Sequence, residues 1–439
     1  MNGLFISRDS CIRRSSDNAA QQKAAYRFLD NEKVTEQELI EVCCERTKVL
    51  CKDKHVLVLN DTSEINLQRH VGRLKPDEGV GLVGNNKDVG FFAHLGLVVD
   101  IEADQAIGYS SINLWHREMD KGTKPGRECN NLPIEGKESY KWIKCCNESK
   151  EVLKDAASIT VVGDRESDIY ELFIDAKSQG IEVLARNKAD RKTEEGRKLY
   201  GILNGTEVCG SYKIEVLADK RKQRQKREAV LNVKFSEVHI KKPNGKKDER
   251  PAYVKAWIVE ARENDKKDGI CWRLLTTHSI ENFEQAVQIV EWYQRRWFVE
   301  QVFRLLKNKG YRIENSELGT GWALRKLTVL LLQNVLRVIQ MLIAYNGTSE
   351  KEDAGLVFTE TEIECLTKLN IRNQGKTKKL RNPYNCHSLK WATWIIARLG
   401  GWSGYRSQRP PGPITLKNGL EKFNHVLMGW EMAKDVGTR

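Results

Sequence analysis

Apolar and polar positions fall into three textures along the chain. Residues 1–50 are polar and mostly helical in pattern. Asn31 to Thr35 reads as a turn into a helix capped at Thr35, with Glu38 three residues on as the reciprocal cap. Then short β-branched runs take over. His55 to Asp61 and Ser158 to Asp164 are each an apolar strand that ends in an aspartate. Between them, Phe91–Ile101 and Gln105–Trp115 read as an antiparallel hairpin, and Glu138–Lys154 reads as a helix. Ser167–Ser178 reads as another helix and Glu182–Arg186 as another strand. Strand, hairpin, helix, strand, helix is a mixed α/β order.

From about residue 190 to 275 short alternating runs predict an all-β insertion: Tyr212–Leu217, Ala229–Val233 and Ala252–Ala261. A basic turn, Lys220 to Arg227, separates two of them. Helical periodicity returns at Asn282 and continues past Lys307. Leu327 to Tyr345 is the most apolar stretch, but Gln333, Asn334, Arg337 and Gln340 interrupt it, so it predicts a buried core helix and not a membrane span. Gly347 to Asn385 is polar, Lys-rich and in part loosely ordered. A helix is expected from Ser388, a break at Pro410–Pro413, and a last helix from about Leu416 to Lys434.

Charge and cysteine usage narrow the class. The 439 residues suffice for two or three domains, and Lys plus Arg exceeds Asp plus Glu by 73 − 60 = 13. That excess makes a polyanion such as nucleic acid a plausible partner, although a basic enzyme without one fits the charge as well. Eleven scattered cysteines, with adjacent pairs at Cys43-Cys44 and Cys145-Cys146 and no C-x-x-C, fit a reducing cytosol and argue against a zinc ribbon. The N-terminus has no long apolar region of the kind a secretory signal needs. A soluble, cytoplasmic protein is expected.

Two strands that each end in Asp call for a joint reading. Sheets of this kind place reactive groups at strand ends. If the strands of Asp61 and Asp164 are neighbours, the two carboxylates meet and can seat Mg²⁺, which takes hard oxygen ligands. Each could equally cap the turn that follows it. A third acidic group falls within Glu291–Lys307. That segment reads as a helix, and at about 100° per residue Tyr293, Arg296, Glu300 and Lys307 fall within roughly 60° of one another on one face. Such a face can bind a cation and hold phosphates; it can also be an ordinary solvated face with i,i+3 and i,i+4 pairs.

The spacing Tyr293-x-x-Arg296-x-x-x-Glu300, with Lys307 seven residues on, resembles the YREK signature of the IS-four group of bacterial DDE transposases, in its Tn-five branch. Other blocks resemble the same family in the same order. They are Leu59 to Ser63, Gly90 to His94, Lys137 to Trp142, Gly163 to Tyr170, Trp391 to Gly401 and Gly429 to Glu431. The resemblance runs from about Ala24 to the end of the chain.

It implies an RNase H-like catalytic core with a β-rich insertion, and a catalytic and metal-binding triad of Asp61, Asp164 and Glu300 holding two Mg²⁺, for which Mn²⁺ can substitute. It implies Arg296 and Lys307 as phosphate holders with Tyr293 beside them, and Trp272 as the residue that stacks on a flipped base. A packed strand residue is the alternative reading of Trp272. Arg186 and Lys188 match a basic strand-end contact to the transposon end, and Arg165 and Asp168 buttress the metal site. His94 is expected to be a hydrogen-bonded sheet residue and not a ligand. The partner implied is double-stranded DNA, both inverted-repeat ends and target, bound by a homodimer in a synaptic complex.

The expected domains are a remnant of an N-terminal DNA-binding domain (1–50), a catalytic core in two parts (51–189 and 276–346), the insertion (190–275) and a helical dimerisation domain (347–439). Met1 to about Ala20 shows no match to the family's first helices, so the chain reads as shortened at its start. A second expectation follows: a non-transposing inhibitor that dimerises with the full-length enzyme. A third is a structure-specific nuclease on the same fold.

Overall fold

The computed structural model describes residues 10–16, 18–74, 78–118, 132–216, 225–244, 248–263, 269–307, 310–347, 352–375, 377, 380–405 and 408–437. In chain order, α1 (Ile12–Ser15), α2 (Ala19–Leu29) and α3 (Glu36–Leu50) precede β1 (His55–Asn66). β2 (Gly81–Leu82), β3 (Val89–Asp100), β4 (Gln105–Trp115) and α4 (Tyr140–Val152) follow. Next come β5 (Ser158–Gly163), α5 (Tyr170–Ser178), β6 (Glu182–Arg186) and α6 (Leu199–Gly205). Then β7 (Gly210–Val216), β8 (Arg227–Lys241), β9 (Tyr253–Glu263) and β10 (Cys271–Thr276) lead to α7 (Phe283–Gln294) and α8 (Trp297–Leu306). The chain closes with α9 (Gly321–Asn346), α10 (Glu360–Asn373), α11 (Leu389–Leu399) and α12 (Pro413–Gly437). This is a mixed α/β fold, consistent with an RNase H-like core.

Two compact units divide the chain. One comprises residues 1–54, 62–123 and 298–439; the other comprises 55–61 and 124–297. We call them the helical unit and the sheet unit.

In the sheet unit the strand order is β1-β5-β6-β10-β9-β8-β7. β1, β5 and β6 are parallel, and β10 turns antiparallel against β6. Parallel strands need both faces covered, which is why Val56 to Leu59 is a continuous apolar run without alternation. α4 and α5 pack on one another, with Trp142, Tyr170 and Phe173 buried. The segment from 190 to 275 reads as all-β in sequence, yet it also contains α6. Leu199, Ile202 and Leu203 stand at helical spacing there and are buried. Its four strands extend the sheet from β6 through β10. The basic turn from Lys220 lies outside the described residues up to Arg224; at its described end Lys226 pairs with Glu215 at 2.6 Å and Arg227 pairs with Glu263.

The helical unit is built round α9. α3, α11, α12 and β4 all pack against it. α9 is long and apolar enough to cross a membrane, but most of its apolar window is buried inside the structure. Its polar residues are held. Arg325 pairs with Glu36 at 2.5 Å and donates to the Leu114 carbonyl at 2.7 Å; Gln340 donates to the Ala106 carbonyl at 3.0 Å. β3 and β4 form the expected antiparallel hairpin. α3 begins with the expected capping box of Thr35 and Glu38. α10 is a helix inside the polar stretch that reads as loosely ordered, and it too starts with a capping box, Thr359 and Glu362. The described cysteines are free thiols.

Candidate active site

Asp61 and Asp164 are brought together by strand register. β1 and β5 pair in parallel from His55↔Ser158 to Leu59↔Val162, a constant offset of 103. Asp61, inside β1, and Asp164, just past the end of β5, keep that offset two residues beyond the last paired position, so both stand where the two strands stop pairing. Both are half-buried. Asp164 caps the short turn that follows, accepting from the Glu166 N–H at 2.8 Å through Oδ1. The capping reading is therefore true of Asp164, and it does not compete with that placement. Gly163 makes the turn possible. A Cβ there would stand 2.3 Å from Ser167 Oγ and 3.1 Å from the Trp142 ring.

Arg296 completes this side of the site. Its Nη1 donates to Asp61 Oδ2 at 3.1 Å, with both side chains largely shielded from water. A guanidinium beside a shielded carboxylate neutralises it.

The expected single helix from Asn282 past Lys307 is corrected by the structure. α7 ends at Gln294, and Arg295 caps it with its N–H shared among the Glu291, Trp292 and Tyr293 carbonyls. Arg296 N then bonds to Tyr293 O at 3.1 Å, an i→i−3 contact that tightens the last turn before α8 starts at Trp297. The 100° accounting from Tyr293 to Lys307 therefore does not hold across the break. Tyr293 is buried in α7, and Arg296 stands in the turn on Asp61. Glu300 is exposed on α8, in the part of the chain that belongs to the helical unit. Lys307, also in the helical unit, donates to the Glu64 carbonyl at 2.5 Å and pairs with Glu314 at 3.1 Å.

The remaining predicted residues lie in the sheet unit. Arg186 ends β6 opposite Leu274, and Trp272 is half-buried on β10 opposite Ala261. Lys188 and Arg165 are exposed. In the helical unit, His94 is buried in β3 with Nδ1 2.8 Å from Thr62 Oγ1, a hydrogen-bonded sheet residue.

Sequence reasoning passed over Arg191. It pairs with Asp168 Oδ1 at 2.6 Å, while Asp168 Oδ2 accepts from the Lys188 N–H at 2.7 Å. Burial pushes the Asp168 carboxyl up, and Arg191 and the Lys188 amide pull against it. This pair ties the turn after Asp164 to the loop carrying Lys188. An aspartate that ends up buried needs a cation, but nothing in the spacing says that the cation lies 23 residues on.

Among the described residues no group of three or more His, Cys, Asp or Glu side chains is placed to hold a metal ion. The donor set at the β1–β5 edge nonetheless fits Mg²⁺. That ion is commonly held by one or two carboxylates and keeps several waters, and Asp61 and Asp164 both follow the paired stretch of β1 and β5 at the same offset.

Residues 146–332 match the family model of the transposase DDE domain. The match takes in Asp164, Arg186, Lys188, Trp272, Tyr293, Arg296, Glu300 and Lys307, and it begins after Asp61. It supports a DDE transposase, an enzyme of DNA transposition and recombination. DDE domains in general bind DNA and use divalent metals, which agrees with carboxylates placed where two strands stop pairing and a net charge of +13.

Proposed function

We propose that this chain is a Mg²⁺-dependent cut-and-paste transposase of the IS-four group, acting in the cytoplasm on the inverted-repeat ends of an insertion sequence. The observation that carries the reading is the shared register of Asp61 and Asp164, with Arg296 on Asp61. Asp61, Asp164 and Glu300 supply the oxygen ligands for two Mg²⁺, or Mn²⁺ in their place. Bound there, the ions supply charge stabilisation for in-line phosphoryl displacement.

The chain's own residues do the rest. Arg296 and Lys307 hold phosphates, with Tyr293 beside them. Trp272 stacks on a base turned out of the duplex. Arg186, Lys188 and Arg165 fix the DNA backbone near the cut. One site used in succession nicks, closes a hairpin, reopens it and joins the end to target DNA. The segment 347–439 makes the homodimer that pairs two ends, and residues 1–50 contribute to reading them.

The test is cleavage of an inverted-repeat duplex by Asp164→Asn and Glu300→Gln variants. Both should lose cleavage while retaining duplex binding in a gel-shift assay. Wild-type cleavage in either variant would remove that residue from the triad.

A further inference from the structure

The loop after β1 carries charge that this chemistry does not use. Leu67 and Leu74 are buried and pin its two ends. Between them Gln68–His70 forms a tight turn, and Arg69 and Arg73 are exposed. His70 orients Arg73. A guanidinium only donates, so His70 Nδ1 accepts from Arg73 Nη2, at 2.5 Å. The ring proton is then on Nε2, which donates to the Glu314 carbonyl at 3.0 Å. This is the Nε2-protonated tautomer. Glu314 in turn accepts from the Asn66 N–H at 3.0 Å and pairs with Lys307 at 3.1 Å. Contacts therefore run unbroken from Lys307 through Glu314 and His70 to Arg73. Beside them is an open cleft of about 640 Å³, lined by Arg69, His70, Gly72, Arg73, Asn315 and Glu317. At Gly72 a Cβ would meet nothing within 4 Å, so no backbone neighbour crowds the approach.

We propose that this cleft binds the phosphodiester backbone of duplex DNA, Arg69 and Arg73 each engaging one phosphate. The planar guanidinium fork suits a phosphate, and a fork fixed in advance loses less freedom on binding. Asn315 offers an amide donor on the same wall. The surface extends the track that starts at Lys307, and the inference rests on reading Lys307 as a phosphate holder. Phosphate contacts position a duplex without reading its sequence, so the cleft serves any DNA, ends and target alike. Glu317 opposes it: a carboxylate on the wall repels phosphate and limits the affinity.

Binding of a duplex of random sequence, followed by fluorescence anisotropy across a salt series in EDTA, tests the proposal. The double variant Arg69→Gln/Arg73→Gln should reduce the slope of log K against log salt by about 2, because each lost phosphate contact removes about 0.9. Its melting temperature should match wild type, since both side chains are exposed. Glu317→Gln should tighten binding several-fold. An unchanged slope in the folded double variant, or no tightening in Glu317→Gln, overturns the cleft while the transposase reading stands. Failure of the wild-type chain to bind any duplex overturns that underlying reading instead.

Discussion

At Gly163 the chain does without a side chain so that Asp164 can turn back over Ser167. The two aspartates were legible in sequence because each closes an apolar β-branched run, but β1 continues past Asp61 to Asn66, so of the two only Asp164 stands at a strand end. Their common register was not, because no short-range pattern says which strands are neighbours. Arg296 shows the limit more sharply: its place on Asp61 spans 235 residues and depends on a helix break. Gly163→Ala should destabilise the protein by about 1–3 kcal/mol through overpacking against Ser167 and Trp142. It should also slow cleavage by moving Asp164, as denaturant melts and end-cleavage rates will show. A wild-type melt would mean that the turn yields freely. A second residue-scale effect concerns pH. His278 and His55 both lie 2.9 Å from Thr160 Oγ1, and Trp292 packs edge-on against both rings. Burial, with His55 nearby, pushes His278 down to about 4. An unfolded His titrates near 6.5, so between these values the unfolded chain binds more protons. Stability is therefore full above pH 6.5 and falls as pH drops toward 4. At pH 5 the loss reaches about 2 kcal/mol. Urea melts at pH 7.5 and 5.0 should show a smaller difference for His278→Gln than for wild type.

Elements were easier to read than their junctions. The β3–β4 hairpin, α4, β5, β6 and α9 stand close to where periodicity placed them, because each has a strong period and a turn at its ends. The break between α7 and α8 left no such mark: Gln294-Arg295-Arg296 contains neither Gly nor Pro, and apolar spacing continues on both sides. α10 was obscured by its polarity, although its Thr359/Glu362 capping box is visible in the sequence. Glycines mark a different kind of junction, the crossing of α11 and α12. A Cβ on Gly419 would stand 1.9 Å from the Ile396 carbonyl, and one on Gly400 would stand 2.0 Å from the Thr415 carbonyl. Inside a helix, Gly→Ala normally stabilises by about 1 kcal/mol. At Gly419 the obstacle is backbone and cannot rotate away, so an overpacking cost of about 1–3 kcal/mol offsets or exceeds that gain. Gly419→Ala should therefore fail to raise the melting temperature, whereas Gly429→Ala, where a Cβ meets nothing within 4 Å, should raise it. A higher melting temperature in both would show that the two helices separate without cost.

Across the whole molecule, charge and chemistry reside in different residues. The excess of 13 basic groups is distributed along the chain, whereas the carboxylates that suit a metal are few and local. On the proposed function, duplex affinity would arise mainly from counterion release at Lys and Arg, and catalysis from the place where Asp61 and Asp164 meet. The two should be separable by removing divalent ions. In EDTA, cleavage of an inverted-repeat duplex should stop, while binding of the same duplex in a gel-shift assay persists and remains steeply salt-dependent. Asp61 makes the expectation specific: without a metal its carboxylate already has a cation, Arg296, so among the described residues only one of the two carboxylates is left without a counter-charge. Arg296→Gln removes that compensation. In EDTA it should bind the duplex more weakly than wild type by several-fold, and Mg²⁺ should recover part of the loss by neutralising the carboxylates in the guanidinium's place. If Mg²⁺ makes no difference to binding by Arg296→Gln, the metal and the guanidinium do not act on the same carboxylate, and the β1–β5 edge is not the metal site.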